Sequence, residues 1–255
     1  MELTLAGQPT LALLLASVRI IAWMAVVPPF SSRSLPAMAK VVLSLGLAMA
    51  VAPSLADADI PVDTFGFLTT VVTQVAIGVS MGFVTYLMFA AITTAGALID
   101  TFGGFALAQA YDPLSMNMNT VFGKFHQMLA TMLLFASGGH LIVIGGLLKT
   151  FRFLPLDGTP DVSNGPGMLI TAMQLFFATA VQIALPMIAV LFLADVGLAL
   201  LTKVAPQLNA INVMFPAKIG LTLLLVGLSF PVLPEAMAEL VDLSNQAMAT
   251  IAGAA

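Results

Sequence analysis

The stretch "FGFLTTVVTQVAIGVSMGFVTYLMFAAITTAGALI", residues 65–99, runs for thirty-five positions without a charged residue. Nothing in it alternates with period two over the length of a barrel strand, so a helix is the structure that satisfies its backbone in lipid. At ~1.5 Å per residue such a helix is ~52 Å long, against a hydrocarbon core of ~30 Å. It must tilt, bend or project into other apolar protein. Gly78 and Gly82, in "GVSMG", make a small-xxx-small face suited to close contact with a second helix.

Five further apolar segments surround it: 11–27 ending at Pro28-Pro29, 39–52 ending at Pro53, 121–148, 167–201 and 211–233. The segment 167–201 is again overlong and holds Pro186, which removes a backbone bond and kinks a helix. The segment 39–52 is short, like half of a hairpin. The expected fold is an all-α integral membrane protein. It has about six long, partly kinked hydrophobic helices arranged as hairpins in one domain, residues 1–255.

Composition agrees with that reading. The 255 residues are 60% hydrophobic and 8% charged, with mean hydropathy +1.08, whereas a soluble domain carries about 25% charged residues. The net charge of −4 argues against nucleic acid, which favours clustered Lys and Arg. Zero cysteines exclude disulfides, thiolate metal sites and cysteine nucleophiles. No basic region precedes the first apolar run, and Arg19 sits inside it, which predicts a retained span rather than a cleaved signal.

Loop charges give a topology. Arg33 and Lys40 in 31–40, and Lys203 and Lys218 in 202–218, stand without acids, whereas Asp57, Asp59 and Asp63 stand without bases. The positive-inside rule puts the two basic loops in the cytoplasm and the N-terminus outside. The tail, 234–255, reads as an amphipathic helix. Met237, Leu240, Val241, Met248 and Ile251 fall on one face, with Glu235, Glu239 and Asp242 on the other. Its acidic face disfavours anionic lipid, so docking on partner protein is expected.

Candidates for chemistry are few. Arg19 costs ~3 kcal/mol to place in a span and is expected to face protein, a cavity or a carboxylate. Asp195 is the other charge read as lying inside an apolar run, and a pair between the two is one option. His126 and His140, fourteen positions apart, read as satisfied histidines, because helical metal ligands sit three or four apart. No nucleophile with its acid and base is visible, and no phosphate loop. No enzyme, metal or cofactor is expected.

One segment resists the plain reading. "GGFALAQAYDPLSMNMNTVFGKF", residues 103–125, separates two apolar runs but is itself long and dotted with Phe105, Leu107, Tyr111, Leu114, Met116 and Met118. A connector with Asp112-Pro113 as its turn is the simple account. A long loop with apolar residues of its own is more often functional. At membrane depth irregular backbone persists only when buried in protein or lining a water path. Methionines fill irregular gaps and repack, which suits a plug.

Several stretches together resemble the FliR family of flagellar biosynthesis proteins. "RIIAWMAVVPPFSSRSLPAMAKVVLSLGLAMAVAP" is similar to that family's N-terminal signature, through Arg19, Pro28-x-Phe30 and Ser32-Arg33-x-x-Pro36. "GVSMGFVTYLMFAAITTAGALIDTFGGFALAQAYDP" resembles its central block, and "KFHQMLATMLLFASGGHLIVIGGLLKTF" the block that follows. "KVAPQLNAINVMFPAKIGLTL" is similar to its C-terminal motif, carrying Pro206, Gln207, Asn209, Pro216 and Lys218. The resemblance covers almost the whole chain in order.

The resemblance implies a subunit of the type III secretion export gate in the bacterial inner membrane, at the flagellar basal body. FliP-like and FliQ-like subunits would complete a helical hetero-oligomer, and an FlhB-like partner would wrap it. Unfolded export substrates would pass through, and membrane lipid would surround it. The central loop, about 103–120, would plug the pore. Phe105, Tyr111, Asp112, Pro113, Leu114, Met116 and Met118 would form the plug and Gly103, Gly104 and Gly123 its hinges. Arg19, Pro28, Phe30, Arg33, Pro36, Pro206, Gln207, Asn209, Pro216 and Lys218 would serve architecture and assembly. An injectisome gate subunit is the alternative, followed by a self-sufficient transporter built on Arg19 and Asp195. The loop is richer in methionine than is usual for the family.

Overall fold

The computed structural model describes residues 2–33, 35–55, 58–105, 120–158, 165–205 and 210–254. Among these, all regular structure is helical. The helices are α1 (Glu2–Val26), α2 (Ala37–Val51), α3 (Thr64–Gly103), α4 (Val121–Ala136), α5 (Gly139–Phe153), α6 (Gly165–Val204), α7 (Ala210–Ser229) and α8 (Leu233–Ile251). Short 3-10 turns cover Ala52–Leu55 and Phe230–Val232. Five helical stretches are long and apolar enough to cross a membrane, or six if α4 and α5 count as one broken span. The all-α membrane fold of about six long, partly broken helices is thereby established.

The starting stretch is a single helix. Asp63 caps α3, its carboxylate accepting the Gly66 N–H at 2.8 Å, the role preferred for a short acidic side chain at a helix start. The hydroxyls along α3 turn back on their own helix. Thr69, Thr73, Ser80 and Thr101 each donate to the carbonyl four residues earlier, at 2.8–3.0 Å. Exposed polar groups are thus hidden without a second helix, which is how an apolar medium tolerates them.

The 121–148 segment is not one helix. It breaks at Ser137-Gly138, where Gly138 takes φ +73° and Ser137 N–H closes α4 on Leu133 O at 2.9 Å. Glycine enters that left-handed region at little cost and so ends helices. His126 and His140 consequently lie on different helices. By contrast α6 runs through Pro186 as one helix.

The contacts group into two compact units. In the first (1–88, 138–173 and 240–255), α1 packs on α2 and α3. Added Cβ atoms show how close α3 comes. At Gly78 one would strike the Arg19 carbonyl, and at Gly82 one would sit 3.1 Å from Trp23 O and from Val26 Cβ. The "GVSMG" face is a real helix contact. Gln8 and Ile60 exchange hydrogen bonds in the same unit, at 3.1 and 3.3 Å. Ser244 of α8 donates to Thr85 Oγ1 at 3.1 Å.

In the second unit (89–137 and 174–239), Ala95, Ile99, Phe122, Ala184, Met187 and Val226 form a buried cluster. In α8, Met237, Leu240, Val241 and Met248 are buried while Glu235, Glu239 and Asp242 are exposed. The apolar face expected to dock on a partner is covered by this chain itself.

Candidate functional site

The base of the central loop lies in the second unit. Here α3 presents Gly96, Asp100 and Gly103, spaced four and three residues apart, along one face. Each meets something specific. A Cβ at Gly96 would collide with the Phe122 carbonyl, and one at Gly103 would lie 2.7 Å from Thr222 Oγ1. Asp100, fully buried, accepts the N–H groups of Phe122 at 2.9 Å and Gly123 at 3.2 Å through Oδ2. His126, also buried, is joined by Nδ1 to the Phe122 carbonyl at 2.8 Å. Asp100 Oδ1 and His126 Nε2 are buried without a partner among the described residues.

The expected plug and hinge residues fall into two groups. Phe105 lies against the buried cluster, edge-on to Phe122 with ring centroids 4.9 Å apart. Gly104 takes φ +85°, with Phe215 3.7 Å from where its Cβ would be. Gly103 and Gly123 are helical, and their lack of a side chain permits close approach, Gly123 to Thr120 and to Thr93 O. Tyr111, Asp112, Pro113, Leu114, Met116 and Met118 lie outside the described residues.

Among the described residues two cations are buried, Arg19 and Lys218. Arg19 on α1 is fully buried. Its Nε donates to Gln74 Oε1 at 2.6 Å, Nη1 to Leu154 O at 2.9 Å and Nη2 to Pro155 O at 3.4 Å. The guanidinium also stands over the Phe151 ring, 4.3 Å from its centroid. Gln74 Nε2 donates to Leu156 O at 3.0 Å. Arginine thus caps the carbonyl end of α5, where the helix dipole favours a cation. Lys218 on α7 pairs instead with Asp195 on α6, Nζ to Oδ1 at 2.8 Å. Arg19 and Asp195 thus each have a partner within their own unit, where the sequence offers a pair between them as one option.

The remaining assembly candidates have plain positions. Pro28 is half-buried in the turn after α1, and Phe30 is buried against Trp23 at 5.6 Å between ring centroids. Arg33 and Pro36 are exposed, Pro36 preceding α2. Pro216 is exposed within α7. Pro206, Gln207 and Asn209 lie outside the described residues. Among the described residues no three His, Asp or Glu side chains converge to hold a metal ion.

Asp100 escaped the sequence reading because the apolar run was closed at Ile99. The available signal was an acid immediately followed by an apolar Thr-Phe-Gly-Gly, with no base within twelve residues on either side.

The family model for bacterial export proteins, family 1, matches residues 10–244. A flagellar biosynthetic protein FliR from Escherichia coli (strain K12) is 35% identical over 215 residues, 84% of this chain and 82% of that protein. The FliR of Bacillus subtilis (strain 168) is 26% identical over 84% of each chain. The secretion system apparatus protein SsaT of Salmonella typhimurium is 29% identical over 66% of this chain and 65% of its own length. Matched across nearly all its helices, the chain belongs to the family of bacterial export proteins, family 1, in which FliR proteins are its relatives.

Proposed function

We propose that this chain is a non-enzymatic subunit of a type III protein export gate in the inner membrane at the flagellar basal body. It forms part of the pore with FliP-like and FliQ-like subunits, an FlhB-like protein wraps the assembly, and the loop at about 103–120 seals it. The observation that carries this reading is the 35% identity to a FliR across more than four-fifths of both chains. The flagellar branch is favoured over the injectisome branch because the likeness to SsaT is shorter, 65% of that protein against 82% and 84% of the two FliR proteins. A transporter built on Arg19 and Asp195 is the less favoured reading, since each has a structural partner in its own unit.

Exposure supports a chain made for neighbours. In its most apolar window α3 is 61% buried, whereas the matching window of α6 is 17% buried. Phe177, Leu185, Phe192, Leu193 and Leu200 of α6 are exposed. Lipid and partner helices both cover such a face.

A pore wide enough for unfolded polypeptide leaks ions when idle unless an apolar constriction dewets it. Tyr111, Leu114, Met116 and Met118 supply that constriction in this reading, with Asp112-Pro113 turning the loop. Deleting residues 110–118 leaves assembly with the gate subunits intact and makes the membrane leaky to ions. Equal assembly with a wild-type leak would return the loop to a connector.

A further inference from the structure

Asp100 has no role in the sealing reading as it stands, and its geometry is unusual for a buried carboxylate. The first N–H groups of a helix have no partner within it. At α4 the residue in the cap position, Thr120, makes no side-chain bond to them. Their acceptor comes from another helix twenty-two residues earlier, Oδ2 of Asp100. The carboxylate's charge is well placed at the positive end of the α4 dipole. Its bonds also join the last turn before the loop to the first turn after it. Two contacts reinforce this join: Gly96 against the Phe122 carbonyl and the Phe105 ring against that of Phe122.

We propose that Asp100 is a positioning residue for the loop, a clasp that closes its base from the helical frame. This rests on the sealing reading above. A loop whose ends are held together samples fewer positions than one whose ends are free. The clasp therefore holds the two ends of the loop together, without touching whatever the loop seals.

The test uses the full chain with its gate subunits in cells. Ion leak and co-purification are measured for wild type, Asp100→Ala, Asp100→Asn and the 110–118 deletion. Because the chain contains no cysteine, Met116→Cys adds one label site for a membrane-impermeant thiol reagent. Asp100→Ala is expected to assemble in wild-type amount, leak severalfold more and label severalfold faster at position 116. Asp100→Asn keeps an oxygen in the cap position and is expected to restore both readouts, as asparagine caps helices about as well as aspartate. A role in folding alone would lower assembly without changing leak per assembled gate.

Asp100→Ala gates that hold ions and protect position 116 like wild type, beside a leaky loop deletion, overturn the clasp and leave the seal standing. If the deletion also holds ions, the seal reading falls and the clasp with it. Should Asp100→Ala fail to assemble, Asp100→Ser decides. It keeps a hydroxyl but not the reach to Phe122 and Gly123, so faster labelling supports the clasp and wild-type labelling overturns it.

Discussion

Arg19 and Lys218 are both buried cations on apolar helices, and the chain satisfies them by different means. Among the described residues Arg19 meets no carboxylate. Two backbone carbonyls, an amide oxygen and an aromatic face surround it. Lys218 meets Asp195 directly, and that acid's side chain is 36% exposed. The difference follows from the side chains. Guanidinium spreads its charge over a planar fork that can divide itself among several dipoles, whereas ammonium is a compact charge best answered by an anion. The first arrangement ties α1, α3 and the end of α5 into one unit. The second is a bond between two helices.

Removing Arg19 should therefore have the largest effect. Arg19→Ala leaves Gln74 and the carbonyls of Leu154 and Pro155 without their donor, and a cost of roughly 3–5 kcal/mol is expected, as for breaking a buried charged group's network. Thermal unfolding in detergent reads it. A loss under about 1 kcal/mol would mean that the carbonyls find other donors and that the network is dispensable. Arg19→Lys should recover only part, because one ammonium cannot span all three acceptors.

The ion pair should behave differently. Lys218→Met alone leaves Asp195 uncompensated beside apolar helices, and a loss of roughly 1–3 kcal/mol is expected given the acid's partial exposure. Adding Asp195→Leu should return stability to within about 1 kcal/mol of wild type, since a well-packed apolar pair often replaces an ionic one. The same apparatus measures the double-mutant cycle. If the double variant is worse than either single one, the pair has a partner beyond this chain.

The smallest effect tests the dipole side of the comparison. Gln74→Leu removes one of the acceptors around Arg19 and the donor to Leu156 O. A loss of roughly 1–2 kcal/mol is expected for these neutral groups. Combined with Arg19→Ala, the loss should be clearly less than the sum, because the two act on one network. Additive losses would show that Gln74 and Arg19 stabilise independently.

Much of this was legible in the sequence, for reasons that differ by residue. Long uncharged runs read correctly as helices because lipid leaves the backbone few other choices. The Gly78 and Gly82 contact was legible from spacing, and the family from motifs spread over the chain. The break at Gly138 was not, because the residues on both sides remain apolar and only a backbone angle distinguishes a bend from a continuing helix. The partners of Arg19 were not, since a backbone carbonyl has no letter in the sequence. The partner of Asp195 was not, because the spacing counts Lys218 as a loop charge although it lies on α7. The tail was read as needing a partner because periodicity shows that a face is apolar without showing what covers it.

The capping of α5 by Arg19 has a consequence for the order in which the chain is made. Synthesis runs from the N-terminus, so Arg19 exists fifty-five residues before Gln74 and 135 residues before Leu154. Through that interval α1 carries a cation whose insertion cost of ~3 kcal/mol is unrelieved by its final partners. A chain cut before residue 154 retains Gln74 alone among the hydrogen-bond acceptors of the guanidinium. The first helix is thus placed early and finished late, and its arginine ties completion of the first unit to arrival of the chain's second half.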